Sequence, residues 1–117
     1  MTPDELLGVA EQLLSIPERR LGTTRFLAAS LLLRQALEEA LDGFWASKVP
    51  GMEEVSTRAQ LVSLPFYLSD RTLAGTVALA WHRLSAACHH HAYDLPPPLT
   101  ELRDLAGTVK RLVHAVP

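Results

Sequence analysis

The chain has 117 residues, of which 48% are hydrophobic and 21% are charged, and its formal net charge is -2 with histidine counted as neutral. This length and composition predict a single soluble domain, residues 1–117, with one hydrophobic core. Because positive and negative charges nearly balance, the overall charge does not indicate binding to a nucleic acid or a membrane surface. A local basic patch is still compatible with this composition.

Cysteine usage and the first residues bear on the cellular compartment. Cys88 is the single cysteine, so the chain has no internal disulfide framework and no Cys-x-x-Cys metal pair. Met1–Glu5 lacks the basic start of a signal peptide, and no apolar stretch approaches the ~20 residues that span a bilayer. We therefore expect a cytoplasmic protein that does not bind membranes.

The N-terminal residues predict the first helix. Thr2 is a suitable cap, Pro3 suits the first helical position, and Glu5 completes a capping box. This helix is expected to end near Ser15, because Pro17 disfavours the helical conformation of the residue before it. Its apolar residues recur at helical spacing: Leu6, Val9, Ala10, Leu13 and Leu14.

The second helix is predicted to be the longest. No proline occurs between Glu18 and Lys48, and strong helix formers dominate from Phe26 onward. Arg34 and Glu38 lie beside the apolar stripe and are expected to pair at i, i+4. The apolar residues that return to nearly this face are Leu27, Leu31, Leu37 and Leu41.

Three more helices are expected in the second half of the chain. Ser56 caps a short helix to Leu64, after which Pro65 either kinks the last turn or starts a new one. Asp70 caps a long helix over residues 73–92, and a last helix runs over about residues 100–115, after three prolines. The stripe on residues 73–92 consists of Leu73, Val77, Trp81, Leu84 and Cys88.

No alternating strand pattern competes with these helices. The sequence therefore predicts an all-α fold, an antiparallel bundle of four long helices plus a short helix. The large aromatic residues are expected to pack in the core or in an interface, since aromatic residues at helical spacing usually do so. They are Phe44, Trp45, Phe66, Tyr67 and Trp81.

Three consecutive histidines, His89, His90 and His91, follow Cys88. Histidine is a mediocre helix former that titrates near neutral pH, so this run suggests imidazole chemistry or hydrogen bonding. On a continuous helix His90 lies within ~20° of Arg83, whereas His89 lies ~120° away and His91 ~80° away. Arg83 and His90 would then share a face, and a cation beside an imidazole suits the binding of a phosphate.

Two other interpretations of this segment remain open. Arg83 can instead pair with a carboxylate of a neighbouring helix, while the histidines cap carbonyl groups at the helix end. Alternatively, Cys88 and His91 at i, i+3 can bind zinc or copper together with His82 or a histidine of a second subunit. Burial of Cys88 as a small apolar group is favoured over the metal site.

An arginine followed by four to six residues and a histidine, late in a helical bundle, resembles the signature of HEPN domains. Arg83 with His89 or His90 fits this spacing, although Leu84 stands where the family usually has a polar residue. The second helix is also similar to HEPN proteins, in the apolar run from Ala29 followed by Arg34 and Ala-Leu-Glu38. Together the two segments cover about a third of the chain.

The resemblance implies a homodimer that binds or cleaves RNA without a metal or other cofactor, in a toxin–antitoxin or antiphage setting. It implies that Arg83 stabilises the scissile phosphate and that His90, or His89 in its place, assists proton transfer. Arg34 and His91 are further candidates for RNA contact.

A different function is a non-catalytic helical module that binds a protein partner, such as an antitoxin, or serves as an accessory subunit. A ribonuclease predicts a positive cleft around Arg83 at a dimer seam, whereas an interaction module predicts an exposed apolar patch elsewhere.

Overall fold

A computed structural model describes residues 1–16, 24–89 and 98–116. These residues contain no β-strand, so the predicted all-α class, with four long helices and a short one, is confirmed. Among them, no helix is both long and apolar enough to span a lipid bilayer. Two short 3₁₀ helices, Met52–Glu54 and Leu64–Phe66, flank the short α-helix. The α-helices are α1 (Pro3–Ser15), α2 (Thr24–Lys48), α3 (Thr57–Ser63), α4 (Arg71–Cys88) and α5 (Leu99–Ala115).

The predicted helix starts are confirmed by their caps. Thr2 Oγ1 accepts a hydrogen bond from the Glu5 N–H at 3.1 Å, and Glu5 Oε1 accepts one from the Thr2 N–H at 3.2 Å. This backbone hydrogen bond to Thr2 lowers the pKa of Glu5, because it stabilises the carboxylate. Ser56 and Asp70 each accept a hydrogen bond from the N–H three residues further on, at 3.2 and 3.0 Å.

Helix α2 is the centre of the bundle, because it contacts α1, α4 and α5. Several of its buried residues are alanines, whose small side chains let neighbouring helices approach closely. The larger side chains between them fill the core and are almost fully excluded from solvent. The buried apolar residues of α2 are Phe26, Ala29, Leu33, Ala36, Leu37, Ala40, Leu41, Phe44 and Trp45.

Helices α4 and α5 lie side by side and run in opposite directions. Arg83, near the end of α4, forms an ion pair with Glu101, near the start of α5. At the other end of the pair, Asp70 before α4 and His114 near the end of α5 line the same groove. The two helices therefore form a continuous surface with Arg83 at one end and His114 at the other.

The predicted extension of α4 to Ala92 is wrong at His89. The helix ends at Cys88, and His89 is its C-cap with φ -99° and ψ 24°, which lies outside the helical range. The His89 N–H donates to the carbonyl groups of Ser85 and Ala86, at 3.2 Å each, which tightens the last turn. Positions 90–92 of the predicted helix lie outside the described residues.

The predicted apolar stripe of α2 is only partly buried. Leu37 and Leu41 are fully buried, but Leu27 is 39% exposed and Leu31 is 49% exposed. The last residue of α4, Cys88, lies beside Arg34. The described part of α4 therefore does not reach the first turns of α2, where this face stays open to solvent. Val9 of α1 is likewise more exposed than its place in the pattern predicts.

The aromatic residues divide between the core and the surface. Phe44 and Trp45 are buried, and Trp81 is half-buried, as the helical spacing predicts. Phe66 lies outside the core, because it is 81% exposed in the 3₁₀ helix Leu64–Phe66, so of the two predicted locations an interface is the one left for it. Tyr67 is 51% exposed, although its ring packs edge-on against Trp45 with the centroids 5.1 Å apart.

Two leucines of α2 test this arrangement. Replacing Leu37, which is fully buried, with alanine should lower the free energy of unfolding by about 2–5 kcal/mol, because it removes apolar contacts and leaves a cavity. The same change at Leu31 should cost less than about 1 kcal/mol, because that side chain is 49% exposed. Urea unfolding followed by circular dichroism, at concentrations where the protein is monomeric, measures both values, and equal losses would show that Leu31 is covered within the chain.

Candidate functional site

Arg83 lies on the outer side of α4, about one and a half turns before the helix ends. The next residue, Leu84, is fully buried, and neighbouring helical residues point about 100° apart, so Arg83 is directed toward solvent. Its side chain is 53% exposed, and its Nη1 atom lies 3.8 Å from Glu101 Oε1. Such a long, exposed ion pair contributes little to stability, so an anionic ligand can displace Glu101.

The ion pair with Glu101 agrees with the interpretation in which Arg83 pairs with a neighbouring helix. It does not occupy the whole guanidinium, which has five N–H donors. Within the described residues, the one ion pair that Arg83 forms is the contact with Glu101. Because the side chain is 53% exposed, part of it is open to solvent, where a phosphate can approach.

Of the three predicted histidines, only His89 lies in the described residues. It is exposed at the C-cap of α4, six positions after Arg83, which places the two side chains ~120° apart around the helix axis. The structure therefore does not bring Arg83 and His89 onto one face. His90 and His91 lie outside the described residues. Because α4 ends at Cys88, the helical projection used for His90 does not extend to it.

Arg34 is placed very differently from Arg83. Its side chain is 30% exposed, and its Nε atom donates to Glu38 Oε1 at 2.8 Å, which confirms the predicted i, i+4 pair. The guanidinium carbon lies 5.7 Å from the centre of the Trp81 ring, within the range of a cation–π contact. The hydrogen bond to Glu38 raises the pKa of Arg34, because it stabilises the charged form.

Arg34 belongs to a half-buried group that joins α2 to α4, which we call the α2–α4 cluster: Arg34, Glu38, Trp81 and Cys88. Trp81 Nε1 donates to Glu38 Oε1 at 3.5 Å, so one carboxylate oxygen accepts from both helices. Trp81 and Cys88 are seven residues apart on α4 and share a face. The cluster fixes the half of α4 that carries Arg83 against the central helix.

Cys88 is partly buried beside Arg34. Burial raises the pKa of its thiol, and the nearby Arg34 opposes this shift in part. The thiol form therefore dominates at neutral pH, which agrees with the interpretation of Cys88 as a packing residue.

The described residues do not supply the ligands that the metal-site interpretation requires. Within residues 1–16, 24–89 and 98–116, no group of three or more histidine, cysteine or acidic side chains is arranged to hold a metal ion. His82 is exposed and packs edge-on against Trp81, with the ring centroids 5.2 Å apart. His91, the other predicted ligand of such a site, lies outside the described residues.

Arg25, in the first turn of α2, is a feature that the sequence pattern does not reveal. Its side chain is only 2% exposed, and its guanidinium carbon lies 4.8 Å from the centre of the Phe26 ring. Among the described residues, none of its three side-chain nitrogens has a hydrogen-bond partner. A buried, unpaired guanidinium is costly, so Arg25 is a site where an apolar replacement would be tolerated.

Comparisons with protein families, with curated proteins and with solved structures found no match to this chain.

The thiol of Cys88 gives a test of the α2–α4 cluster. Alkylation by iodoacetamide should be slower than that of a free cysteine peptide at neutral pH, because a raised pKa leaves less thiolate. The rate should keep rising as the pH passes the ordinary cysteine range. Replacing Arg34 with methionine removes the cation that opposes the shift, so alkylation should slow further.

Arg58→Ala removes an exposed arginine of α3 and is the matched control, which should alkylate like the wild type. Faster alkylation of Arg34→Met at neutral pH would contradict this account, since it would mean that Arg34 mainly shields the thiol from the reagent.

Proposed function

We propose that the chain is a HEPN-like helical domain that acts as a homodimer to bind RNA and cleave it without a metal ion, within a defence or toxin–antitoxin system. The observation that carries this proposal is the placement of Arg83. Its side chain is 53% exposed, forms one long ion pair within the described residues, and lies about one and a half turns before the histidine run.

In the proposed reaction Arg83 holds the non-bridging oxygens of a phosphodiester by charge-assisted hydrogen bonds. His90 of one protomer accepts the proton of the 2′-hydroxyl, and the protonated His90 of the other protomer donates a proton to the leaving 5′-oxygen. The 2′-oxygen forms a bond to phosphorus as the bond to the 5′-oxygen breaks, which gives a cyclic phosphate and a 5′-hydroxyl. Atoms and charge balance without water or an oxidant.

The α2–α4 cluster supports this arrangement by fixing the end of α4. Because the guanidinium of Arg34 already contacts Glu38 and Trp81, we assign Arg34 a positioning role in preference to direct RNA contact. The exposed Leu27 and Leu31 lie beyond Arg34 on α2, at the same end of the bundle as the end of α4. We propose this apolar surface as the dimer seam, with Arg83 and His90 of both protomers facing one strand.

A second candidate function is a non-catalytic module that binds a protein. The observation in its favour is an apolar patch around α3, away from Arg83, formed by Val62, Phe66 and Tyr67. Val62 is 70% exposed, and Phe66, four residues later, is 81% exposed. Exposed aromatic and aliphatic side chains at this spacing are typical of surfaces that bind another protein.

Incubation of purified protein with total RNA in EDTA tests the proposed function. We expect cleavage by the wild type, and a loss of about 100-fold or more in Arg83→Ala and in His90→Ala, because each removes a group that acts on the phosphate or its protons. Glu101→Gln should cleave at least as fast as the wild type, because it removes the carboxylate that competes for Arg83. Arg58→Ala is the control for general loss of positive charge.

Sedimentation of each variant separates a loss of chemistry from a loss of assembly or folding. RNA that stays intact with a folded wild-type dimer would overturn the ribonuclease proposal and favour the interaction module. Cleavage that EDTA abolishes, or that persists in Arg83→Ala, would place the activity elsewhere.

A further inference from the structure

A groove lies between the start of α4 and the end of α5, at the opposite end of this helix pair from Arg83. Its volume is about 520 Å³, and it opens to solvent. Three of its side chains are basic, which is unusual in a chain with a net charge of -2. The groove is lined by Asp70, Leu73, Gly107, Lys110, Arg111, His114 and Ala115.

The basic side chains share one face of α5. Gly107, Lys110, Arg111 and His114 are spaced at i, i+3, i+4 and i+7, so they line a single stripe along the helix. All four are exposed. Since Gly107 has no side chain, the groove stays open on the side facing the middle of α5, and a ligand can enter from there.

The charges of this groove are not neutralised by the rest of the described chain. No carboxylate of the described residues forms an ion pair with Lys110, Arg111 or His114. Arg111 makes one weak hydrogen bond, from Nη2 to Thr108 Oγ1 at 3.4 Å. The acidic side chain in the lining, Asp70, already accepts the N–H of Leu73 as the cap of α4.

The N-terminus of α4 adds to the positive potential. Arg71 is its first residue and is exposed, and no acidic residue occurs in its first turn. The first N–H groups of a helix carry a partial positive charge that favours anions. The groove therefore combines two fixed cations, a histidine and a helix N-terminus around one capping carboxylate.

Basic residues near the end of a helix also interact favourably with the helix dipole. This effect explains why cations occur in the last turns of α5. It does not require that they line a concave surface with a second helix N-terminus opposite them. A ligand that carries several phosphates uses both features of the groove.

We propose that this groove binds the phosphodiester backbone of the same RNA strand that Arg83 contacts, an inference that rests on the proposed function. Leu73, which lines the groove, and Arg83 are ten residues apart on α4, which corresponds to ~15 Å along its axis. An RNA strand that follows α4 reaches both ends. The groove holds the backbone and sets the position of the strand, while Arg83 and the histidines act on one phosphate.

The test is the binding of labelled 2′-O-methyl RNA, which has no free 2′-hydroxyl and cannot be cleaved by the proposed route. Fluorescence anisotropy at several salt concentrations compares the wild type with the double variant Lys110→Ala/Arg111→Ala. The double variant should bind RNA several-fold more weakly. The slope of the logarithm of the binding constant against the logarithm of salt concentration should also become shallower by about 1.4, because two contacts to a single strand are lost.

Lys48→Ala/Arg58→Ala removes two exposed cations elsewhere and is the charge-matched control, which should bind like the wild type. The reversed pair Lys110→Arg/Arg111→Lys should also keep wild-type binding, because it preserves the charge. Thermal unfolding of every variant gives the separate contribution of these cations to the stability of α5.

The outcomes distinguish a failure of the groove proposal from a failure of the proposed function. If Arg83→Ala weakens binding while Lys110→Ala/Arg111→Ala matches the control, the groove proposal is wrong and the function stands. If the wild type does not bind RNA, both fail. Binding to acidic lipid vesicles that depends on Lys110 and Arg111, without binding to RNA, would likewise overturn the groove as an RNA site.

Discussion

The burial of α2 on three sides is the constraint on which the rest of the structure depends. A 25-residue helix is ~37 Å long, and in this chain it supplies the surface on which α1, α4 and α5 all pack. Its alanines permit close approach, and side chains such as Leu37 and Trp45 fill the space between the helices. Because α4 is held against α2, the residues of α4 that face solvent are fixed as well. The placement of Arg83 follows from this packing.

Arg83 and Leu84 are neighbours on α4, but one faces solvent and the other packs in the core. Leu84 is fully buried, so the position after Arg83 belongs to the core, where a polar side chain would need a partner. This burial accounts for an apolar residue at that position. On the opposite flank, Glu38 accepts hydrogen bonds from Arg34 and Trp81 and so joins α2 to α4 near the site.

The sequence predicted the local features of the fold well, and the tertiary ones less well. The caps at Thr2, Ser56 and Asp70 and the pair Arg34–Glu38 depend on residues three or four apart, so they can be read from spacing. The exposure of Leu31 depends on where α4 ends, and the end of α4 at Cys88 depends on the balance of hydrogen bonds in its last turn. The contact of Arg83 with Glu101 and the basic groove at Lys110 join distant parts of the chain, and no short motif encodes them.

Photo-cross-linking tests most directly the central claim, that RNA lies at the Arg83 end of α4. RNA carrying 4-thiouridine is irradiated with the wild-type protein, and the cross-linked tryptic peptides are identified by mass spectrometry. The account predicts cross-links in the peptide of residues 84–103, which begins after Arg83 and contains the histidine run. Cross-links confined to residues 59–71, which carry Val62 and Phe66, would contradict it.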